Sequence, residues 1–359
     1  MARAKRGDVF DPTVVGAYHC INRCVRRCFL CGDDSLTGRN FDHRKRWLEL
    51  RLEHLAGSFA IDVLGYAVMD NHFHIILRNR PDVLAVWDDQ EVARRWLRLC
   101  PVRKTPEGDA EEPTDAEIAA LVADRTNLAE IRSRLCDISW FMRMAAEPIA
   151  RRANREDEVT GRFWEGRFRC SRLLDEAALL ACSVYVDLNP VRAGLAPTPE
   201  TSEFTSASRR IEAAQEHASD DGGSSRGEEE SADAWLAPLP LDEGEAPVGP
   251  APSVPGESCV TGKRCSDRGF LPLTLLQYLE LLDWTGRQQV PGKRGVIPNE
   301  TPPILARLGI AERDWLELTF HFGRLFHHHA GRPAAIARLR PRLGTRRRAQ
   351  GACLLGEAR

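Results

Sequence analysis

Two apolar runs separated by a single polar dipeptide constrain this chain more than any other feature. Residues 60–69, AIDVLGYAVM, read as a buried strand, Asp70-Asn71 as a tight turn, and residues 72–78, HFHIILR, as the returning strand of a hairpin. Side chains alternate along a strand, so His72, His74 and Ile76 share one face while Phe73, Ile75 and Leu77 share the other. The two imidazoles then stand roughly 6–7 Å apart at Cα, at a rise of ~3.3 Å per residue. Two nitrogens at that separation can converge on one divalent cation, and imidazole is a common ligand at neutral pH. Two sheet histidines with satisfied hydrogen bonds fit the same pattern.

The flanking segments set the fold class. Residues 14–23, VVGAYHCINR, are rich in β-formers, and residues 40–59 carry apolar side chains at helical spacing. Residues 89–100, 114–124 and 126–154 read as helices, and 162–170, RFWEGRFRC, as another strand or extended loop. Asp175 is placed to N-cap a helix running to about Leu188. The order strand, helix, hairpin, helices, strand, helix predicts an α+β domain: a ferredoxin-like antiparallel sheet with helices on one face.

With 359 residues the chain can bury a sizeable core, so a metal would not be needed merely to fold it. Its net charge of -2 conceals an asymmetry: residues 201–262 carry 13 acidic against 3 basic side chains, and residues 263–359 carry 17 basic against 8 acidic. A near-neutral total therefore does not argue against a polyanionic partner. The acidic stretch is rich in Ser, Gly and Pro, and its composition predicts a disordered linker. Helical periodicity over 271–284, 302–310 and 312–331 predicts a small helical appendage. The expected division is a domain over 1–200, a linker over 201–262, the appendage over 263–335 and a basic tail over 336–359. The basic N-terminus lacks a following apolar segment and no run of 18 apolar residues occurs, so a cytoplasmic protein with no membrane span is expected. The 11 cysteines then sit in a reducing compartment, where a thiol is usually a small buried hydrophobe.

A second constellation lies in residues 182–195, CSVYVDLNPVRAGL. On a helix Tyr185 and Asn189 form an i, i+4 pair on one side while Asp187 points elsewhere. Pro190 disfavours helical geometry at the residue before it, which puts Asn189 at the helix's last turn. A core aromatic followed by a helix stop accounts for these residues as well.

Taken together, NHFHIIL, FWEGRF and YVDLNPVRAGL resemble the single-tyrosine HUH transposases of the insertion-sequence-200-like type, above all the REP-associated tyrosine transposases found beside palindromic repeats. The resemblance covers roughly residues 12–200. It implies that His72, Phe73 and His74 are the His-hydrophobic-His motif, that Tyr185 is the nucleophile, and that Asn189 completes a metal site with His72 and His74 for Mg2+ or Mn2+. It further implies cleavage of single-stranded DNA beside a hairpin, a 5′-phosphotyrosine and a free 3′-hydroxyl, and a protein associated with the nucleoid and capable of forming a homodimer. The residue types suit that chemistry, since a phenol with an ordinary pKa near 10 attacks a phosphodiester poorly unless the phosphate is polarised. The stretch 101–160 is longer and more acidic than a minimal member of the family.

Candidate DNA contacts are Arg162, Arg167 and Arg169 for phosphates, with Phe163, Trp164 and Phe168 for base stacking. Core packing is the alternative for Phe163 and Phe168. The tail arginines Arg338, Arg340, Arg342, Arg346, Arg347 and Arg348 could add affinity without sequence choice, or could simply be solvated. Cys20, Cys24, Cys28 and Cys31, with His19 beside them, lack a second cysteine pair at zinc-ribbon spacing and read as buried thiols. The His327–His329 run would fan around a helix and reads as a solvated helix end. Two other functions fit the sequence: a metal-dependent phosphodiesterase that uses water, and a domesticated, non-catalytic DNA-binding protein.

Overall fold

A computed structural model describes residues 9–25, 31–32, 38–106, 110–219, 231–242, 245–250, 256–288, 312–326, 328–333 and 335–337. Strand β1 (Val14–Arg23) leads to helix α1 (His43–Ala56), and the hairpin follows as β2 (Ile61–Val68) and β3 (His72–Asn79). The turn closes where the Met69 backbone N–H donates to the His72 carbonyl at 2.8 Å, leaving Asp70 and Asn71 at its tip. Next come α2 (Pro81–Leu84), α3 (Asp89–Leu99), α4 (Asp115–Ala123), α5 (Arg125–Arg134) and α6 (Ile138–Glu156), then β4 (Arg169–Leu173), α7 (Glu176–Asp187) and α8 (Asn189–Arg192). The remaining elements are α9 (Ser206–Ser219), β5 (Gly249–Pro250), α10 (Leu275–Arg287), α11 (Glu312–Leu325) and β6 (His329–Ala330).

The sheet runs β2-β3-β1-β4, every neighbouring pair antiparallel, which is the ferredoxin-like order expected of this succession of elements. On one face Tyr18, Cys20, Phe73, Ile75 and Leu77 pack against Leu48, Leu52 and Leu55 of α1 and Phe141, Ala145 and Ile149 of α6. These two helices are the crossovers of the ferredoxin-like unit. The second face is covered too: Ala17, Leu64, Ala67 and Ile76 lie under α7, with Leu281 and Leu282 of α10 and Trp315 and Phe322 of α11 beyond it. The reason lies in the strands, which place apolar residues on both sides and so demand cover on both.

Capping explains several helix starts. The Asp88 side chain accepts from the Glu91 N–H at 2.7 Å, Thr114 and Glu117 form a capping box, and Asp175 accepts from the Ala178 N–H at 2.9 Å. The single helix predicted over 126–154 is two. Asp137 caps a new start by accepting from the Ser139 and Trp140 N–H groups at 2.5 and 3.1 Å, which ends the preceding helix. Of the strand or extended loop expected over 162–170, the first part is loop with a bridge between Cys24 and Trp164, and the strand is Arg169–Leu173.

The domain division is corrected by the packing. Within 201–262, the stretch read as a disordered linker, α9 forms, and Ala207, Trp235, Leu236, Ala237 and Leu239 are buried. Average composition hid these few apolar side chains and the polar anchors around them. Val68 N–H donates to the Phe204 carbonyl at 3.1 Å and Ala237 N–H to Val63 at 2.9 Å, so this segment lines the free edge of β2. Arg210 donates to the carbonyls of Leu64 and Ala237, both at 3.0 Å. The 263–335 region is likewise no appendage. Its helices pack on α7, and β6 joins β4 in parallel, so His329 lies in a strand rather than a helix end. His327, Cys28, residues 302–310 and the tail from Arg338 onward lie outside the described residues. Cys20, Cys24 and Cys31 are buried thiols outside any disulfide, as read from the sequence. Among the described residues no helix is long and apolar enough to cross a membrane.

Trp235 is 4% exposed and packs its ring 5.0 Å from that of Tyr66. Trp235→Ala is therefore expected to lower unfolding free energy by about 3–5 kcal/mol, measured by denaturant titration. A change near zero would return this segment to the status of a linker.

Candidate functional site

The site is built where β3, β1 and α7 meet. His72 and His74 lie on the same side of β3, as alternation requires, with ring centroids 4.9 Å apart. His72 is half-buried at the strand's first position and His74 is 2% exposed at its third. Tyr185 projects from α7 toward them, its ring 5.5 Å from that of His74 and nearly perpendicular to it. Asn189 follows one turn later, and its Nδ2 lies 3.2 Å from His74 Nε2. It sits at the first position of α8 rather than on a final turn, because Leu188 stays helical and Pro190 begins the next short turn. Asp187 points away and accepts from Ser206 Oγ at 2.5 Å, the Ala207 N–H at 3.0 Å and the Tyr278 hydroxyl at 2.5 Å.

Three further side chains join this site. His19 on β1 is 2% exposed, and its Nε2 lies 2.9 Å from His74 Nδ1, the two rings nearly parallel with centroids 5.1 Å apart. Arg23 is the register partner of His72 at the strand end. Phe322 on α11 stacks on Tyr185 at 5.8 Å and meets His19 edge-on at 5.9 Å. His19 could have been found from parity alone, since Ala17, His19 and Ile21 share a face of β1 and a neighbouring antiparallel strand presents His74 beside it. Its proximity to the cysteines drew it into the wrong cluster. Phe322 has no local signal, because its place depends on how α11 packs 137 positions later in the chain.

Burial dominates the electrostatics. It holds His19 down to about 3 and His72 down to about 4, the latter also repelled by Arg23, and it keeps His74 well below its ordinary value. All three rings are therefore neutral near pH 7, the state in which imidazole offers a lone pair to a cation. Burial raises the Tyr185 phenol; hydrogen bonding by Asn189 and the charges of Arg192 and Arg23 offset part of that rise. Among the described residues no group of three or more His, Cys, Asp or Glu is placed to hold a metal ion. An ion here would rest on the two imidazoles and an amide oxygen, with positions left open for groups from outside the chain.

The aromatics read as base-stacking candidates belong to the opposite face. Phe163 is buried in the α1/α6 core, Phe168 packs against it, and Trp164 donates its Nε1–H to the Ala146 carbonyl at 2.8 Å. Trp164 is thus committed to the fold, its ring meeting Phe73 on the side away from His72 and His74. Arg162, Arg167 and Arg169 are exposed. Arg346, Arg347 and Arg348 lie outside the described residues.

No known family signature matches the chain, and no curated protein does. Among solved structures it is similar to a REP-associated tyrosine transposase bound to a REP hairpin, at 13% identity and a TM-score of 0.34, over 59% of this chain and 86% of that one. At that identity and score the likeness assigns no function to this chain.

The imidazoles also set an acid limit. Between their ordinary pKa near 6.5 and their lowered folded values, the unfolded chain binds protons that the folded chain refuses. Stability from these groups is whole above about pH 6.5 and is lost as pH falls through that window. Denaturation midpoints followed from about pH 8 to about pH 4.5 are expected to decline, and less steeply in His72→Gln. An unchanged slope in the variant would remove His72 from the account.

Proposed function

We propose that this protein cleaves single-stranded DNA and transfers the strand, with Tyr185 as nucleophile and a divalent cation, Mg2+ or Mn2+, held by His72, His74 and Asn189. The observation that carries the reading is the convergence of two neutral same-face imidazoles and an amide on one side of a tyrosine ring, His74 being 3.2 Å from Asn189 and 5.5 Å, ring to ring, from Tyr185. The donor set fits such an ion, since half a turn of the Asn189 amide exchanges its Nδ2 for Oδ1. Bound there, the cation would polarise the scissile phosphate and stabilise the departing oxygen.

The remaining work falls to the chain. The phenol is protonated at neutral pH, so it loses its proton only as it attacks. Its oxygen forms a bond to phosphorus, the bond from phosphorus to the 3′-oxygen breaks, and the leaving oxygen takes up a proton. The products are a 5′-phosphotyrosine at Tyr185 and a free 3′-hydroxyl. Attack by another 3′-hydroxyl reverses the step and joins strands with no outside energy source. Phe322 stacks on the Tyr185 ring at 5.8 Å and limits its freedom. Arg162, Arg167 and Arg169, exposed on the approach to β4, are the proposed phosphate contacts, and a hairpin beside the cleaved strand is the proposed substrate form.

The test is incubation with an end-labelled hairpin oligonucleotide carrying a single-stranded flank, with Mn2+ or Mg2+, read on a denaturing gel. Wild type is expected to give a protein–DNA adduct that Tyr185→Phe and His74→Ala lose and that excess chelator suppresses. Cleavage without adduct that persists in Tyr185→Phe would establish water as nucleophile and a phosphodiesterase. Binding without cleavage by wild type would leave a DNA-binding protein only.

A further inference from the structure

His19 is a buried histidine on a different strand from the two proposed ligands, and its ring nitrogen meets one of them. Its Nε2 lies 2.9 Å from His74 Nδ1, and the rings lie edge to edge within 10° of parallel. The pattern repeats at the neighbouring ligand, where the Asn71 side-chain oxygen lies 2.5 Å from His72 Nδ1. An amide oxygen only accepts, so His72 carries its proton on Nδ1 and keeps the Nε2 lone pair. At His74 the Asn189 amide nitrogen, which only donates, faces Nε2 at 3.2 Å. With the amide in this orientation Nε2 holds the lone pair and Nδ1 the proton, the tautomer that a cation at Nε2 would also require, and His19 Nε2 is then the acceptor.

We propose that His19 is a positioning residue for the metal site: by accepting from His74 Nδ1–H it fixes the tautomer and ring plane that aim His74 Nε2 at the cation. A ligand imidazole is commonly oriented this way by a partner on its other nitrogen. Here the partner is a neutral histidine rather than a carboxylate, so it orients the ring without adding a charge to the site. The antiparallel pairing of β1 and β3 delivers it, with Ile21 opposite His74 and His19 opposite Ile76, so that the two imidazoles lie diagonally across one face. Phe322 and Tyr185 close around His19 edge-on at 5.9 Å each, which leaves its ring little room to turn away.

This inference rests on the metal reading above, and its test separates the two. In metal-free protein labelled with 15N-histidine, long-range proton–nitrogen correlation reads the His74 tautomer, its signals assigned by comparison with His74→Ala. The expected result for wild type is Nδ1–H on His74. His19→Leu, which removes the acceptor, is expected to give mixed tautomers and to weaken Mn2+ binding, followed by electron paramagnetic resonance of the free ion, by about 10–100-fold. His19→Gln, which restores an acceptor oxygen, is expected to recover most of that loss. Nε2–H on His74 in wild type that still binds Mn2+ would overturn the role of His19 alone, as would unchanged Mn2+ affinity in a folded His19→Leu. A wild type that binds no Mn2+ would overturn the metal site and this role with it. If His19→Leu fails to fold, the wild-type tautomer decides.

Discussion

The antiparallel ladder between β1 and β3 is the interaction on which both the fold and the site depend. β1 lies between β3 and β4, and its alternation gives Tyr18 and Cys20 to one core and Ala17 and His19 to the other. A slip of one residue would send His19 and Ala17 into the α1/α6 core and expose Tyr18 and Cys20 to the wrong face. The apolar content of both faces makes that slip costly, so the register is held by packing on two sides. His19 and His74 then meet as a consequence. Each is buried to the same degree, and each satisfies a ring nitrogen of the other, which is what makes burying two imidazoles tolerable.

The second half of the chain fixes the tyrosine-bearing helix in place. Asp187, two residues after Tyr185, takes hydrogen bonds from α9 through Ser206 and Ala207 and from α10 through Tyr278. Arg192, on the turn that carries Asn189, donates to the Thr319 carbonyl of α11. At the far end of β3, Arg78 and Arg80 share the fully buried carboxylate of Asp62, and Ser266 donates to its other oxygen at 2.8 Å. Arg78 also donates to the carbonyls of Arg268 and Gly269 at 2.7 and 2.8 Å. A buried ionic cluster of this kind adds little net stability relative to apolar packing, but removing one member leaves an uncompensated charge at a cost of about 3–5 kcal/mol. It therefore specifies where residues 265–270 dock more than how strongly they do.

What could be read from the sequence was whatever local periodicity encodes. The hairpin, the shared face of His72 and His74, the helix carrying Tyr185 and its cap at Asp175 all follow from spacing and from one side chain's reach. The order of the strands followed from their succession. The composition of 201–262 points to a linker because it averages over a stretch in which Trp235, Leu236 and Ala237 are few but well placed, and because Ser206 and Arg210 find their buried partners at Tyr66 and Leu64, far away in sequence. The same limit hid His19 and Phe322, each of which matters through a neighbour 55 or more residues distant. Trp164 shows the opposite limit: an aromatic between arginines suggests base stacking, and spacing alone does not reveal that its indole N–H is satisfied by Ala146 and that its ring packs partly buried against the core.

On the proposed reaction, the environment of Tyr185 has a consequence for direction as well as rate. A phenol is more acidic than a sugar hydroxyl, so a phosphotyrosine is the more reactive of the two esters, and strand joining runs downhill from it. Burial raises the Tyr185 pKa while Asn189, Arg192 and Arg23 pull it back, and the balance falls on the raised side. Raising it brings the phenol closer to the hydroxyl it displaces, which lowers the cost of forming the covalent link and slows its wasteful attack by water. The same burial makes the free phenol harder to ionise, so the site must supply stabilisation at the phosphate rather than a ready-made phenolate. Two neutral imidazoles and an amide, with no carboxylate among them, suit that requirement, because they leave the positive charge of a bound ion undiminished for the phosphate it would face.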